Sequence, residues 1–146
     1  MKKLLLALAL LTASFTSQAD TIQISARSVN YVGQKMTIGV VKHLYESRNI
    51  YIAIRLPDGR LLWLDRMSRF STVKQVFAGA SSPREDYIQV FSFTVPPHLK
   101  GTYTMYAAVS SMEREAKDEQ WVSQIASKVI HIVDPYTKSI PFDGLQ

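Results

Sequence analysis

The 146-residue chain has no cysteine. That excludes disulfide staples, thiolate metal centres and a lipidated cysteine at a processing point, so apolar packing has to hold the fold. Long hydrophobic runs are also missing. The longest, Leu4 to Leu11, falls well short of the roughly 20 residues that a helical span requires. No basic block is interleaved with aromatic residues, which argues against a nucleic-acid partner. Glycine and proline number six each and sit mostly at turn positions.

What is present begins with a leader pattern. Met1-Lys2-Lys3 precedes the apolar run, and a polar stretch then closes on Ser17-Gln18-Ala19. A positive start, a short apolar centre and a small-x-small end predict a signal peptide over 1–19, exported by a Sec-type route to the periplasm or outside the cell. Processing after Ala19 would leave residues 20–146, a length suited to one domain with a core of its own. The expected division is a β-sandwich over 20–134 and a loosely held tail over 135–146. The whole chain carries a net charge of +5; without Lys2 and Lys3, 15 basic residues face 12 acidic ones, a net of +3. So mild an excess suits solubility or weak attraction to anionic envelope polymers.

The rest of the chain reads as strands separated by turn signals. Residues 21–27 form a first, weak strand, and 30–34 a turn. In 35–42, Met36, Ile38 and Val40 alternate with Lys35, Thr37 and Gly39. Period two is the mark of a half-buried strand. Residues 49–56 show it most clearly, with Ile50, Ile52, Ile54 and Leu56 on one face. Pro57-Asp58-Gly59 then reverses the chain: proline presets φ, and glycine accepts the left-handed position of a bulged hairpin. Residues 60–64 return, placing Leu62 and Leu64 inward and Trp63 outward. Residues 65–80 make a longer connection without sustained alternation. Residues 87–95 form an aromatic, β-branched strand expected to be buried on both sides, because Phe91, Phe93 and Val95 alternate against Ile88 and Val90. Pro96-Pro97 ends it. A strand over 101–109 follows, then a charged surface loop, then 121–126 and 128–133 as a last strand or a bulged strand pair. Short strands at intervals of about ten residues, with no long amphipathic helix, predict an all-β fold: a single antiparallel sandwich of about seven to eight strands.

Leu99-Lys100-Gly101-Thr102-Tyr103 resembles the tyrosine corner of immunoglobulin-like and fibronectin-type sandwiches, in which a tyrosine near the start of the sixth strand bonds back to upstream backbone. With the segments 51–59, 101–108 and 121–127, the pattern resembles immunoglobulin-like modules of bacterial exported proteins. The resemblance implies structural roles for Tyr103, Gly101, Gly59 and Pro57. It places Met105 where an antibody-type domain has its second cysteine. Strand 49–56 has no tryptophan, so the antibody-type subclass does not apply. The superfold hosts many unrelated roles and implies none of them.

No catalytic or metal-ligating set is expected. There is no Gly-x-Ser-x-Gly elbow, no His-x-His and no His-x-x-x-His. His43, His98 and His131 are scattered. Glu85 and Asp86, adjacent in sequence, would point apart rather than flank a cleft. Glu113, Glu115, Asp118 and Glu119 lack the alternation and glycine of a calcium loop. No cofactor is implied. The candidate partner-binding residues are Trp63, Arg66, Arg69, Phe70, Lys74 and Trp121. Basic and apolar side chains on a long loop suit a binding surface; the favoured reading of this loop is that Phe70 and Phe77 plug one end of the sandwich while its basic residues face water. The expected function is a non-enzymatic binding or accessory module of the bacterial envelope, with a protein or an envelope polymer as partner. Two alternatives are an assembly subunit of a pilus, fibre or secretion apparatus using strand exchange, and an inhibitor of a periplasmic hydrolase.

Overall fold

The computed structural model describes residues 20–81, 84–111 and 124–135. The segments expected to be a leader (1–19) and, from 136 on, a tail lie outside the described residues.

Alternation along the chain builds two sheets. The smaller consists of β1 (Thr21–Ser25), β3 (Lys35–His43) and β8 (Glu85–Thr94), in the order β1-β3-β8 and antiparallel throughout. The larger is ordered β2 (Val29–Tyr31), β10 (Ala126–Val133), β9 (Gly101–Ser111), β4 (Arg48–Arg55), β5 (Leu61–Leu64) and β6 (Phe70–Ser71). A short β7 (Ala78–Ser81) pairs with the first half of β4. The N-terminal stretch serves both sheets. After β1 it crosses to the other layer, where β2 runs parallel to β10. Asn30 secures the crossing by donating through Nδ2 to the Arg27 carbonyl at 3.0 Å. A segment expected to be only a turn therefore contains a strand, because edge pairing with β10 supplies the hydrogen bonds that its own sequence does not advertise.

The two layers pack their apolar faces together. Ile50, Ile52 and Ile54 of β4 meet Met36, Ile38 and Val40 of β3 in one core with Met105, Ile130 and Ile132. Met105 is fully buried, and its thioether packs within this core. Lys42 breaks the pattern. Its side chain is buried, and burial pulls the amine below its usual range while the Asp86 carboxylate opposes the shift.

Strand β8 corrects the expectation of two-sided burial. Ile38 pairs with Phe91, but Gly39 pairs with Gln89, so Val90 is an extra residue. A bulge of one residue flips the pleat phase. Ile88 and Phe91 then both pack against the core, although three residues apart, and Val90 is itself buried. Gln89, Ser92 and Thr94 face water.

The connection after β5 contains two strands that its sequence hides. Asp65 folds residues 65–69 into a tight turn: its Oδ1 accepts from the Met67 and Arg69 backbone N–H groups at 2.8 and 3.0 Å, and its Oδ2 from Arg69 Nε at 2.8 Å. The backbone N–H groups, that of Arg69 foremost, hold this carboxyl below the ordinary carboxylate range. The turn pairs β6 with β5, and the chain returns to β4 as β7.

The tyrosine corner is present. Tyr103 Oη donates to the Leu99 carbonyl at 2.8 Å, across a 3-10 turn over Pro97–Leu99. Gly101 between them has φ +146°, and a Cβ there would lie 2.6 Å from Pro57 Cγ. Gly59 takes φ +90° in the β4–β5 hairpin, which closes through Leu56 N–H to the Arg60 carbonyl at 2.8 Å. Hairpin and crossover thus meet at one end of the sandwich.

Candidate functional site

The outer face of the larger sheet carries a trough built by register. Trp63 of β5 lies directly across from Ala53 of β4, and Ala53 directly across from Tyr106 of β9. One row further on, Tyr51 of β4 stands beside Ala108 of β9. Cross-strand neighbours on one face lie about 5 Å apart, so an alanine between two aromatic residues leaves a hollow with a flat ring on each side. The result is a cleft of about 350 Å³, which Arg55, Lys74 and Ile125 also line.

The rings in this cleft are ordered against each other. Tyr51 and Trp63 meet edge to face, with centroids 6.3 Å apart and planes at 87°. This arrangement sets the positive edge of one ring against the negative face of the other. Lys74 reaches back from the segment after β6. Its Nζ stands 5.9 Å from the Tyr51 centroid and 5.8 Å from that of Trp63. Both distances are within cation–π range. Tyr51 and Ala53 are buried despite facing away from the core, and Trp63 and Tyr106 are half-buried.

The structure brings together some of the residues expected to bind a partner and separates others. Trp63 and Lys74 share the trough. Phe70 does not: it packs on Phe91 with centroids 5.6 Å apart, at the open margin between the sheets, and remains half exposed. Arg69 is tied to Asp65, and Arg66 folds its guanidinium over Gly79. Trp121 lies outside the described residues. Tyr51 and Tyr106 are the trough residues that sequence reasoning missed. Both stood in segments recognised as strands, yet only the pairing of β4 with β5 on one side and β9 on the other reveals a common cleft.

The histidines stay apart. His43 stacks on Tyr45 with centroids 5.0 Å apart, His131 Nδ1 is 3.1 Å from Thr102 Oγ1, and His98 is exposed on the 3-10 turn. Among the described residues no three His, Asp or Glu side chains gather as a metal site. No helix among them is long and apolar enough to cross a membrane.

The strand order β1-β3-β8 against β2-β10-β9-β4-β5, with the tyrosine corner at the β8–β9 crossover, defines an immunoglobulin-like β-sandwich. No family model matches the chain, and no curated protein matches it. Among solved structures it is similar to a CARDB domain from Pyrococcus furiosus, crystallised in complex with di-metal ions: 18% identity, 78% of this chain, 87% of that chain and a TM-score of 0.44. It is also similar to the PKD domain of an M14-like peptidase from a Thermoplasmatales archaeon: 15% identity, 78% and 92% of the two chains, and a TM-score of 0.43.

Proposed function

We propose that the chain is an exported, non-enzymatic binding module that engages a protein or polymer of the bacterial envelope through the outer face of its larger sheet. One observation carries the reading: the Trp63–Ala53–Tyr106 row, with Tyr51 and Lys74, holds a ringed hollow open on a rigid sheet. Aromatic residues on a pre-formed surface give large contact area at small cost in side-chain freedom. Lys74 borders the hollow and holds both rings by cation–π contact. The leader pattern and the +3 excess of the remaining chain agree with an envelope location.

The test compares the immobilised wild-type chain with Trp63→Ala/Tyr106→Ala. The probes are bacterial cell-wall sacculi and detergent-solubilised envelope proteins. Retention by the wild type and its loss in the variant, at matched thermal stability, supports the proposal. Equal retention by both removes this face from the function. Turnover of an envelope substrate that a single substitution abolishes would replace the binding module with an enzyme.

A further inference from the structure

The edge-to-face pair in the trough makes a corner with an ammonium already in it. Lys74 Nζ stands 5.9 Å from the Tyr51 centroid and 5.8 Å from the Trp63 centroid, and the two centroids are 6.3 Å apart. The three points form a near-equilateral triangle, so one charge faces both rings. Tyr106 closes the opposite side, beyond Ala53. Ala53 and Ala108 floor the hollow without filling it. Among the described residues that line it none is acidic, and Arg55 turns aside to donate through Nη1 to the Gly59 carbonyl at 3.0 Å. Ring faces are therefore what the hollow itself offers to a cation.

The corner is wide for a primary ammonium. Both distances lie close to the outer limit of cation–π contact, about 6 Å. A lysine ammonium is compact and strongly hydrated, and a ring face is only a weak acceptor for its N–H groups. A fully methylated nitrogen has no N–H group to satisfy. Each methyl stands about 1.5 Å from such a nitrogen. Placed at the Lys74 Nζ position, it would bring methyl carbons to about 4.4 Å from a ring centroid, close to good carbon contact. Lys74 can also give way. It belongs to no strand, lying between the end of β6 at Ser71 and the start of β7 at Ala78, so its withdrawal breaks no ladder.

Given the trough as a binding surface, we infer that the corner of Tyr51 and Trp63, walled by Tyr106, receives a quaternary ammonium group, and that Lys74 is a built-in plug which this group displaces. Two positive charges a few ångströms apart repel, so plug and ligand exclude each other.

The test titrates the full chain with choline and with ethanolamine, which has the same skeleton but a primary ammonium. The readout is the indole N–H signal of Trp63 in an isotope-edited spectrum. The chain has two tryptophans, and Trp63→Phe identifies the signal. A saturable shift with choline and none with ethanolamine, together with choline binding about tenfold tighter in Lys74→Ala, supports the inference. No saturable choline shift in either chain overturns it. An equal response to ethanolamine overturns it too, since any cation then suffices. Choline affinity that Lys74→Ala leaves unchanged overturns the plug and the inference with it. N-acetylglucosamine is the neutral, stacking control: a shift with it and none with choline also overturns the inference. Co-sedimentation with phosphatidylcholine vesicles, and not with phosphatidylglycerol vesicles, supports a lipid headgroup as the source; a response to free choline alone supports a soluble one. Retention on sacculi that Trp63→Ala/Tyr106→Ala abolishes, with no choline response, overturns this inference and leaves the trough as a binding surface.

Discussion

The hydroxyl of Tyr103 donates to the carbonyl of Leu99 at 2.8 Å, tying the start of β9 to the turn that carries the chain from one sheet to the other. A carbonyl that loses this donor is left partly desolvated. Tyr103→Phe is expected to lower the unfolding free energy by about 1 kcal/mol. Urea titration checks it, with the slope unchanged and only the midpoint moved.

The same residue predicts an alkaline limb. Burial pushes the Tyr103 phenol above its ordinary value of 10.0. The folded chain then holds this proton to a higher pH than the unfolded chain does. Its stabilising effect is complete below about pH 10 and is lost as pH rises through the folded value. Stability followed across that range should fall more steeply for wild type than for Tyr103→Phe. The comparison cancels the other tyrosines, which both chains share.

Gly101→Ala tests the contact between hairpin and crossover. The new methyl would sit 2.6 Å from Pro57 Cγ, on a backbone at φ +146°. A loss of about 1–3 kcal/mol is expected. Adding Pro57→Ala should recover only the steric share, so the double variant falls between the single variant and wild type. A thermodynamic cycle measures the two shares.

Asp20 forms a second tie, at the far end. Its carboxylate accepts from Arg48 Nε at 2.8 Å and from the Tyr45 backbone N–H at 2.7 Å, and its side chain is only 6% exposed. Asp20→Ala strands both donors in a largely buried site, and a loss of about 2–4 kcal/mol is expected. The Asp20→Leu/Arg48→Leu pair should lose less, because neither charge is then left alone. Chemical denaturation of both variants decides it.

Ile52→Ala removes a side chain with no solvent exposure from the centre of β4. It should cost about 2–5 kcal/mol, depending on how far the sheets settle into the space. Val29→Ala, at an exposed edge position, should stay within about 0.5 kcal/mol of wild type. The contrast is read from thermal midpoints.

Several features were legible because they are local. Ile50, Ile52 and Ile54 alternate over a few residues, Pro57-Asp58-Gly59 carries its own turn chemistry, and the Leu99–Tyr103 spacing encloses both partners of the corner bond. Trp63 faced outward by pleat phase alone. Other features were not legible. Strands β6 and β7 are two and four residues long, too short for a period to show. The bulge at Val90 leaves a pattern identical to two-sided burial, since a phase shift of one residue shows only against the partner strand. Lys74 reaches the trough by the path of a loop, which side-chain pattern does not encode.

The alternation of apolar and polar side chains, with proline and glycine at the breaks, determined by itself that this chain forms strands and folds them into two layers, because pleat phase is a property of neighbours in sequence. Which strands lie side by side was decided only in three dimensions. Register across β5, β4 and β9 set Ala53 between Trp63 and Tyr106, the latter more than fifty residues away in sequence, and the same packing left a groove at the end of the sandwich beside Lys100. Contacts over such separations depend on how whole sheets fit, and no short stretch of sequence records that fit.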